Sequence, residues 1–188
     1  MIRAGVALAG VLLVNPLCAA DLLSVSVERD GRRYVIESTS RYDASSAALA
    51  HVLLDYDNFT QVSSVFKEAR YLEPTDDGVR RGYTRVEGCV LFFCQSIERI
   101  DQINVADGPL ITAVAEPEPD DFRYSHGSWR FEPEDDAVVI HYRLEMEPGF
   151  WIPPLIGPYI LKRRLIDGAV DAMQRVEARA QAFDAGTY

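Results

Sequence analysis

The longest hydrophobic pattern in the chain lies near its C-terminal end, from Pro158 to Phe183. Apolar residues recur there at the spacing of one helix face, and arginine and aspartate occupy the opposite face. The apolar set is Leu155, Tyr159, Ile166, Ala169, Val170, Met173, Val176, Ala180 and Phe183. Pro158 suits a first helical turn, where its missing N–H is not needed. The pattern predicts one amphipathic helix about 40 Å long, which needs a broad apolar partner.

The segments before this helix alternate apolar and polar residues and are separated by turn-forming residues, which is the pattern of antiparallel strands. A short helix is predicted from Ala44 to Leu54, with Asp43 or Ser45 as its cap, and a second helical turn over 55–60. The predicted strands are 23–28, 33–39, 65–72, 79–87, 92–103, 110–115, 122–131 and 138–146. The expected fold class is therefore α+β, an antiparallel sheet packed against one long C-terminal helix.

The N-terminal residues have the composition of a secretory signal peptide. Arg3 precedes an apolar run from Ala4 to Val14 that is too short to span a bilayer. Small residues follow in Cys18-Ala19-Ala20, just before Asp21. This pattern predicts a signal peptide over residues 1–20 that is cleaved after Ala20, leaving a single periplasmic or secreted domain over residues 21–188. The alternative is a buried N-terminal helix.

Charge and motifs exclude several function classes. The 188-residue chain has a formal net charge of −10, so it lacks the basic field of a general nucleic-acid binder. It contains no P-loop, no dinucleotide fingerprint and no Gly-x-Ser-x-Gly motif, so no cofactor is expected. No two of its three histidines have metal-ligand spacing, and two cysteines alone cannot complete a zinc site, so no metal is expected.

Two cysteines, Cys89 and Cys94, remain after removal of residues 1–20, and an oxidising compartment favours their pairing. A straight strand would separate them by roughly 17 Å. A disulfide needs Cα atoms within about 7 Å. We therefore predict a chain reversal over residues 88–93, closed by a Cys89–Cys94 disulfide. Its tip, Val90 to Phe92, either packs back onto the core or forms an apolar rim with the segment around Trp151.

Three segments and the terminal helix resemble one known group of proteins. The segments are Leu54-Asp55-Tyr56-Asp57-Asn58-Phe59, Trp129-Arg130-Phe131-Glu132-Pro133, and the strand ending Tyr142-Arg143-Leu144-Glu145-Met146-Glu147-Pro148. They resemble the START-like, or SRPBCC, superfamily, and locally its coenzyme Q-binding START-domain and polyketide cyclase group. The resemblance covers nearly all of residues 30–183. It implies a helix-grip fold, in which a curved antiparallel β-sheet wraps around a long C-terminal α-helix, with two short helices after the first strands.

The resemblance also implies a function. Such domains hold a hydrophobic molecule in the cavity between sheet and helix, and many have no catalytic activity. The expectation is an exported, non-enzymatic binding or carrier protein for a lipid, isoprenoid or quinone-like molecule. The predicted signal peptide and cysteine pair indicate an exported member of this superfamily. Roles that other members have in intracellular quinone handling are therefore not expected for this chain. The expected lining residues are Phe59, Tyr83, Tyr124, Trp129, Phe131, Tyr142, Leu144, Trp151, Ile166, Val170 and Met173. For each of them the alternative is ordinary core packing.

Two other functions stay open at this point. A cyclase- or dehydratase-type enzyme would need an acid–base pair in the cavity, and His126 with Tyr124 or Tyr142 is the best candidate pair, although His126 also fits a half-exposed strand histidine. A protein-interaction module with a filled core is the third hypothesis. The connector over residues 149–157, around Trp151, is almost wholly apolar, whereas connectors usually lie at the surface. It suggests a ligand mouth or a peripheral membrane contact. No pattern in the chain indicates an oligomeric state.

Overall fold

The computed structural model describes residues 20–90, 93–106, 110–116, 121–152 and 157–188. Their elements are β1 (Asp21–Asp30), β2 (Arg33–Tyr42), α1 (Ser46–Leu54), a 3₁₀ helix (Tyr56–Gln61), β3 (Phe66–Leu72), β4 (Arg80–Val90), β5 (Phe93–Val105), β6 (Leu110–Ala115), β7 (Phe122–Glu134), β8 (Ala137–Pro148) and α2 (Gly157–Asp184). The predicted strands, the short helix and the long helix are all present, with ends that move by a few residues. The predicted helical turn after α1 is the 3₁₀ helix.

The eight strands form one antiparallel sheet in the order β1-β2-β8-β7-β6-β5-β4-β3. Strands that follow each other in sequence are neighbours, except that β2 pairs with β8. This pairing joins the first hairpin to the last strand and leaves β1 and β3 as the edges. The sheet curves around α2, so the α+β helix-grip prediction is confirmed. We call the side of the sheet that faces α2 the concave face, and the other side the convex face.

The two short helices close one end of the concave face. The Ser45 hydroxyl caps α1 by accepting a hydrogen bond from the Ala48 N–H at 3.1 Å. In the 3₁₀ helix, Tyr56 is buried and its ring stacks on Phe59 with centroids 5.2 Å apart. The Tyr56 ring also lies against Gly82 of β4, where a Cβ atom would come within 2.2 Å of it. Only glycine at position 82 therefore lets the 3₁₀ helix approach the sheet this closely.

Polar residues on the C-terminal half of α2 attach this helix to the junction between β2 and α1. Glu177 Oε1 accepts a hydrogen bond from the Asp43 N–H at 2.8 Å, and the Gln181 amide donates to the Asp43 carbonyl at 2.8 Å. One turn further, the Asp184 carboxylate accepts from the Ser45 N–H at 2.9 Å and from its hydroxyl at 2.6 Å. These bonds fix the C-terminal half of α2 against the start of α1.

The buried face of α2 differs from the one that the sequence predicts. The apolar residues of α2 that belong to the sheet-facing clusters or pack against them are Leu161, Leu165, Ala169, Met173, Val176 and Ala180. Ile166 and Val170 are 41% and 49% exposed, so the prediction that they line the helix–sheet gap is wrong. Each follows a sheet-facing residue by one position, which is a rotation of about 100° around the helix. The band of apolar residues along α2 is thus wider than the part of the helix surface that contacts the sheet. Leu155 lies outside the described residues.

The hairpin of β4 and β5 contains both cysteines. Its register places Cys89 directly opposite Cys94, and Val90 opposite Phe93. The predicted chain reversal over residues 88–93 is therefore confirmed. The predicted tip residues Leu91 and Phe92 lie outside the described residues, so packing of the tip on the core and the apolar rim both stay predictions.

We propose that Cys89 and Cys94 form a disulfide, since opposed residues of an antiparallel pair have Cα atoms about 4.5–5.5 Å apart, inside the disulfide range. Protein taken from an oxidising compartment should gain the mass of two hydrogens on reduction, and its unfolding free energy should fall by about 2 kcal/mol because the closed loop is short. A Cys94→Ser variant should show neither change. Two free thiols in the unreduced protein would contradict the proposal.

Candidate functional site

The concave face carries two apolar clusters. The first lies where α1, the 3₁₀ helix and the C-terminal half of α2 meet the sheet, and it includes Leu49, Phe131, Ile140 and Met173. The second lies towards the N-terminal half of α2, where Leu161 and Leu165 pack against it. Its buried members are Tyr34, Ile36, Phe122, Leu144 and Met146.

A charged pair lies on the same face, on β5. Its residues Ile97, Arg99, Asp101 and Ile103 share one phase of the strand and point towards α2. The Arg99 Nη2 donates to Asp101 Oδ1 at 2.6 Å, and the two side chains are only 17% and 6% exposed. Burial of opposite charges costs desolvation energy that such a pair offsets only in good geometry. Two charges in phase with buried isoleucines therefore mark a candidate site.

Aromatic and hydroxyl side chains surround this pair and join it to both clusters. The Arg99 guanidinium lies over the Phe122 ring, 5.3 Å from its centroid. Thr84, the residue opposite Arg99 on β4, is buried. The Tyr56 ring lies against Gly82, the residue opposite Asp101 on β4. The charges of Arg99 and Asp101 act in opposite directions on the pKa values of Tyr142 and Tyr56.

The surroundings of the site fix the protonation states of Arg99 and of the two phenols near neutral pH. Burial lowers the pKa of Arg99, but the attraction and hydrogen bond of Asp101 outweigh it and the net pKa is raised, so Arg99 is a cation. Burial raises the pKa of Tyr142 to about 12, and burial also raises the pKa of Tyr56. Both phenols are therefore neutral hydrogen-bond donors.

Two buried polar atoms on the concave face have no hydrogen-bond partner among the described residues: Arg99 Nε and Ser125 Oγ. Ser125 lies on β7 opposite Met146, which is a concave-face position, and is almost fully buried. Buried polar groups without a partner cost about 1–3 kcal/mol each, and native proteins rarely keep them unsatisfied. An oxygen atom of a bound molecule would satisfy the Arg99 N–H.

Six of the predicted lining residues lie on or against the concave side: Phe59, Trp129, Phe131, Tyr142, Leu144 and Met173. The Trp129 and Tyr142 rings are 5.1 Å apart, and this contact connects the first cluster to the surroundings of Arg99. Phe131 and Met173 are buried within the first cluster. Their role as ligand-lining residues stays a prediction.

Tyr83, Tyr124 and His126 lie on the convex face instead. The Arg70 guanidinium lies over Tyr83 at 4.2 Å, and the Arg33 guanidinium lies over Tyr124 at 4.4 Å. His126 is paired with Glu145 in the register of β7 and β8. Side chains alternate between the two faces of a strand, and Trp129 faces α2. Counting back from Trp129 along β7, residues 127 and 125 also face α2, whereas residues 126 and 124 face the other way. The suggested acid–base pair of His126 with a cavity tyrosine is therefore not formed.

The Trp151 side chain is 76% exposed and lies beside the β1–β2 hairpin. Between the β1–β2 hairpin and the segment after β8 is a surface cavity of about 250 Å³. Its lining includes Arg29, Arg32, Tyr34, Phe150, Trp151 and Ile152. Tyr34 and Ile152 also belong to the second apolar cluster, so this surface cavity adjoins the concave face.

Sequence reasoning missed Arg99, Asp101 and Ser125. A signal for the first two was present, since β5 places an arginine and an aspartate two residues apart in phase with Ile97 and Ile103. Opposite charges on the apolar side of a strand are unusual because charged residues are almost never buried unless they are paired. Ser125 carries no comparable signal, because buried and exposed serines have the same strand pattern.

Comparison with known proteins gives a family and a set of similar folds. A family model described as polyketide cyclase / dehydrase and lipid transport matches residues 44–174. No curated protein sequence matches the chain. Solved structures with the same fold include a START superfamily protein from Mycobacterium smegmatis, with a TM-score of 0.62 and 16% identity over 79% of this chain and 98% of the other.

Two further solved structures are similar at comparable levels. The Zhui aromatase/cyclase from a Streptomyces species has a TM-score of 0.62 and 14% identity over 83% of this chain and 99% of the other. A STAR-related lipid transfer protein from Xanthomonas axonopodis has a TM-score of 0.56 and 17% identity over 81% of this chain and 98% of the other. At these identities the likeness concerns the fold.

Proposed function

Because this chain belongs to the polyketide cyclase / dehydrase and lipid transport family, we propose that it binds and carries a hydrophobic small molecule between the sheet and α2, without transforming it. The family match and the lipid-transfer and cyclase neighbours support hydrophobic ligand binding as the general activity. More specifically, we propose that the protein carries its ligand without catalysing a reaction, and that the ligand is a lipid, an isoprenoid or a quinone-like molecule.

The observation that carries the proposal is the Arg99–Asp101 pair on a face whose buried side chains are mostly apolar. Asp101 occupies one edge of the guanidinium, and Arg99 Nε has no partner among the residues that the structure describes. Apolar walls with a few placed polar groups are typical of small-molecule sites. The matching ligand has a hydrocarbon body and one oxygen acceptor, such as a carboxylate or a carbonyl, that receives the Arg99 N–H.

Export to the periplasm or the outside of the cell is part of the proposal. It rests on the signal-peptide pattern of residues 1–20 and on the cysteine pair across the β4–β5 hairpin. In the described part of the chain, neither α1 nor α2 is long and apolar enough to cross a bilayer.

An enzyme of the cyclase or dehydratase type is a second candidate, favoured by one observation. Tyr142 is a neutral phenol on the same face of the sheet as a buried cation and a buried carboxylate, and such a group can donate a proton or a hydrogen bond to a carbonyl. Recovery of the bound molecule unchanged after prolonged incubation supports carriage. Conversion that a Tyr142→Phe variant abolishes would favour the enzyme.

We further propose that Trp151 lies at the ligand entrance and touches membrane surfaces. An exposed tryptophan beside Arg29 and Arg32 combines an interfacial aromatic group with cations, although Arg32 is partly neutralised by Glu147 at 3.4 Å. Anionic head groups attract such cations at short range. The neighbouring cavity then connects the surface with the second apolar cluster.

Replacing Trp151 with alanine should change ligand exchange more than stability, because this side chain has few contacts to lose. A fluorescent polyene fatty acid should bind the parent protein saturably. Its release to anionic vesicles, followed by stopped-flow fluorescence, should change several-fold in Trp151→Ala, with less than about 1 kcal/mol of stability lost. The control is Tyr159→Ala, which removes another exposed aromatic residue, on α2. Equal release rates in all three proteins would contradict the entrance, and absence of saturable binding would contradict the function.

A further inference from the structure

Glu177 is a buried carboxylate on α2, only 6% exposed. Its Oε1 accepts the Asp43 N–H at 2.8 Å, and its Oε2 accepts the Ala20 N–H at 2.9 Å. None of the ion pairs formed within the described ranges includes Glu177. The Glu177 charge acts on Tyr42 of β2, but burial raises the pKa of Tyr42 to about 12, so this phenol is neutral and supplies no charge.

Ala20 belongs structurally to the domain. It precedes β1, is 9% exposed and packs in the first apolar cluster, which also contains Tyr42, Val176 and Ala180. Its methyl group is therefore part of the core, and its nitrogen is held by α2. A mature chain that began at Asp21 would lose both contacts and leave one oxygen of Glu177 without its donor.

A buried carboxylate is strongly destabilising unless a charge or several hydrogen bonds compensate it. A backbone amide at Ala20 offers one dipole, whereas a free α-amino group offers a full positive charge at the same position. We infer that a signal peptidase cuts the Ala19–Ala20 bond, and that the new α-ammonium group of Ala20 forms a buried ion pair with Glu177. This inference rests on the proposed export.

The reaction is a simple hydrolysis. Water adds to the Ala19 carbonyl carbon and the C–N bond breaks, so that Ala19 leaves as a carboxylate and the Ala20 nitrogen becomes an amine that is protonated at neutral pH. Ala19 supplies the small residue that the −1 position requires, and Leu17 at −3 is uncharged. Sequence pattern alone favours the next bond, because Cys18 and Ala20 are both small. The contacts of Ala20 are the reason to infer cleavage one residue earlier, at the Ala19–Ala20 bond.

Processing at this bond strengthens the attachment of α2 to the rest of the domain. Before the cut, Ala20 offers Glu177 only a neutral N–H. After it, a charge-assisted bond joins the first residue of the mature chain to the same helix that Asp43 and Ser45 already hold. The helix and the sheet between which the ligand is proposed to lie are thus fully joined only in the mature protein.

Intact-mass analysis of the exported protein tests the cleavage position. The mature chain should comprise residues 20–188. A chain of residues 21–188, which is shorter by one alanine, would overturn the inference, and so would an exported chain that retains residues 1–19.

A double-mutant cycle tests the ion pair independently of export and of ligand binding. The four proteins begin at Ala20 with either a free or an acetylated α-amino group, and carry either Glu177 or Glu177→Gln. Acetylation should lower the Tm by about 4 °C or more when Glu177 is present, because it removes the charged pair. In Glu177→Gln it should leave the Tm unchanged or raise it, because the free ammonium group there has no carboxylate partner. Equal effects of acetylation in both backgrounds would overturn the pair. Fatty-acid binding measured on the same four proteins reports on the proposed function separately.

Discussion

Removing Asp101 alone should destabilise the protein more than removing both members of the Arg99–Asp101 pair. An Asp101→Leu variant leaves the Arg99 cation buried without its partner, which costs about 3–5 kcal/mol. In Arg99→Met/Asp101→Leu both charges are gone and apolar side chains of similar size remain, so this variant should recover most of the loss. Chemical denaturation of the three proteins measures the difference.

The control for this experiment is an ion pair of similar geometry in a wetter place. Arg81 donates to Glu116 at 2.7 Å, and these side chains are 26% and 28% exposed. Glu116→Leu should cost no more than about 1 kcal/mol, because water replaces the lost partner. Equal losses for Asp101→Leu and Glu116→Leu would contradict a desolvated pair.

The double variant also separates the polar part of the site from its apolar walls. Because it stays folded and keeps Phe122 and Tyr142, we expect it to bind the methyl ester of the polyene fatty acid as the parent does. Its affinity for the free fatty acid should fall tenfold or more, since charge-assisted hydrogen bonds contribute about 1.5–3 kcal/mol. If the double variant still prefers the free fatty acid over its methyl ester as strongly as the parent does, Arg99 does not bind the carboxylate of the ligand.

Replacing Met173 with arginine should have the other large effect. Met173 is 5% exposed and packs in the first apolar cluster, so an arginine there buries an unpaired charge and should cost at least about 3 kcal/mol. Val170→Arg places the same side chain three residues earlier on α2 at an exposed position, and should cost less than about 1 kcal/mol. Thermal and chemical unfolding of both variants test the orientation of α2.

Equal stability losses in these two variants would contradict the assignment of the buried face. A Met173→Arg protein that keeps the parent stability but loses fatty-acid binding would mean that Met173 lines an open cavity and not packed core. The burial of Met173 together with Phe131 and Ile140 predicts the first result, destabilisation.

Most of the fold could be predicted because its signals are local. Turn residues and alternation mark each strand without knowledge of its partner, and the long amphipathic run before Phe183 marks α2. The hairpin at Cys89 and Cys94 is an instructive case. The strands on either side have hairpin lengths and need a turn between them, and the expectation of a disulfide placed the reversal at residues 88–93, which the register confirms.

The site could not be predicted to the same degree, because it depends on which face each residue takes. Tyr124 and Ile166 are among the lining residues that the resemblance predicts, yet one lies on the convex face and the other is exposed on α2. The alternation of β5 marks Arg99 and Asp101 as unusual, but the side chains that bury them, such as Thr84 of β4 and Phe122 of β7, come from other strands and are not encoded in β5 itself. A one-residue change of phase reverses the face of a strand residue.

Native mass spectrometry of the protein purified gently from its own compartment tests the central claim most directly. We predict one non-covalently bound hydrophobic molecule per chain, with an acidic or carbonyl oxygen, in the parent protein, and a sharply reduced bound fraction in Arg99→Met/Asp101→Leu. A parent protein that carries no such molecule and takes up none of the fatty acid, isoprenoid or quinone probes offered to it would contradict the account.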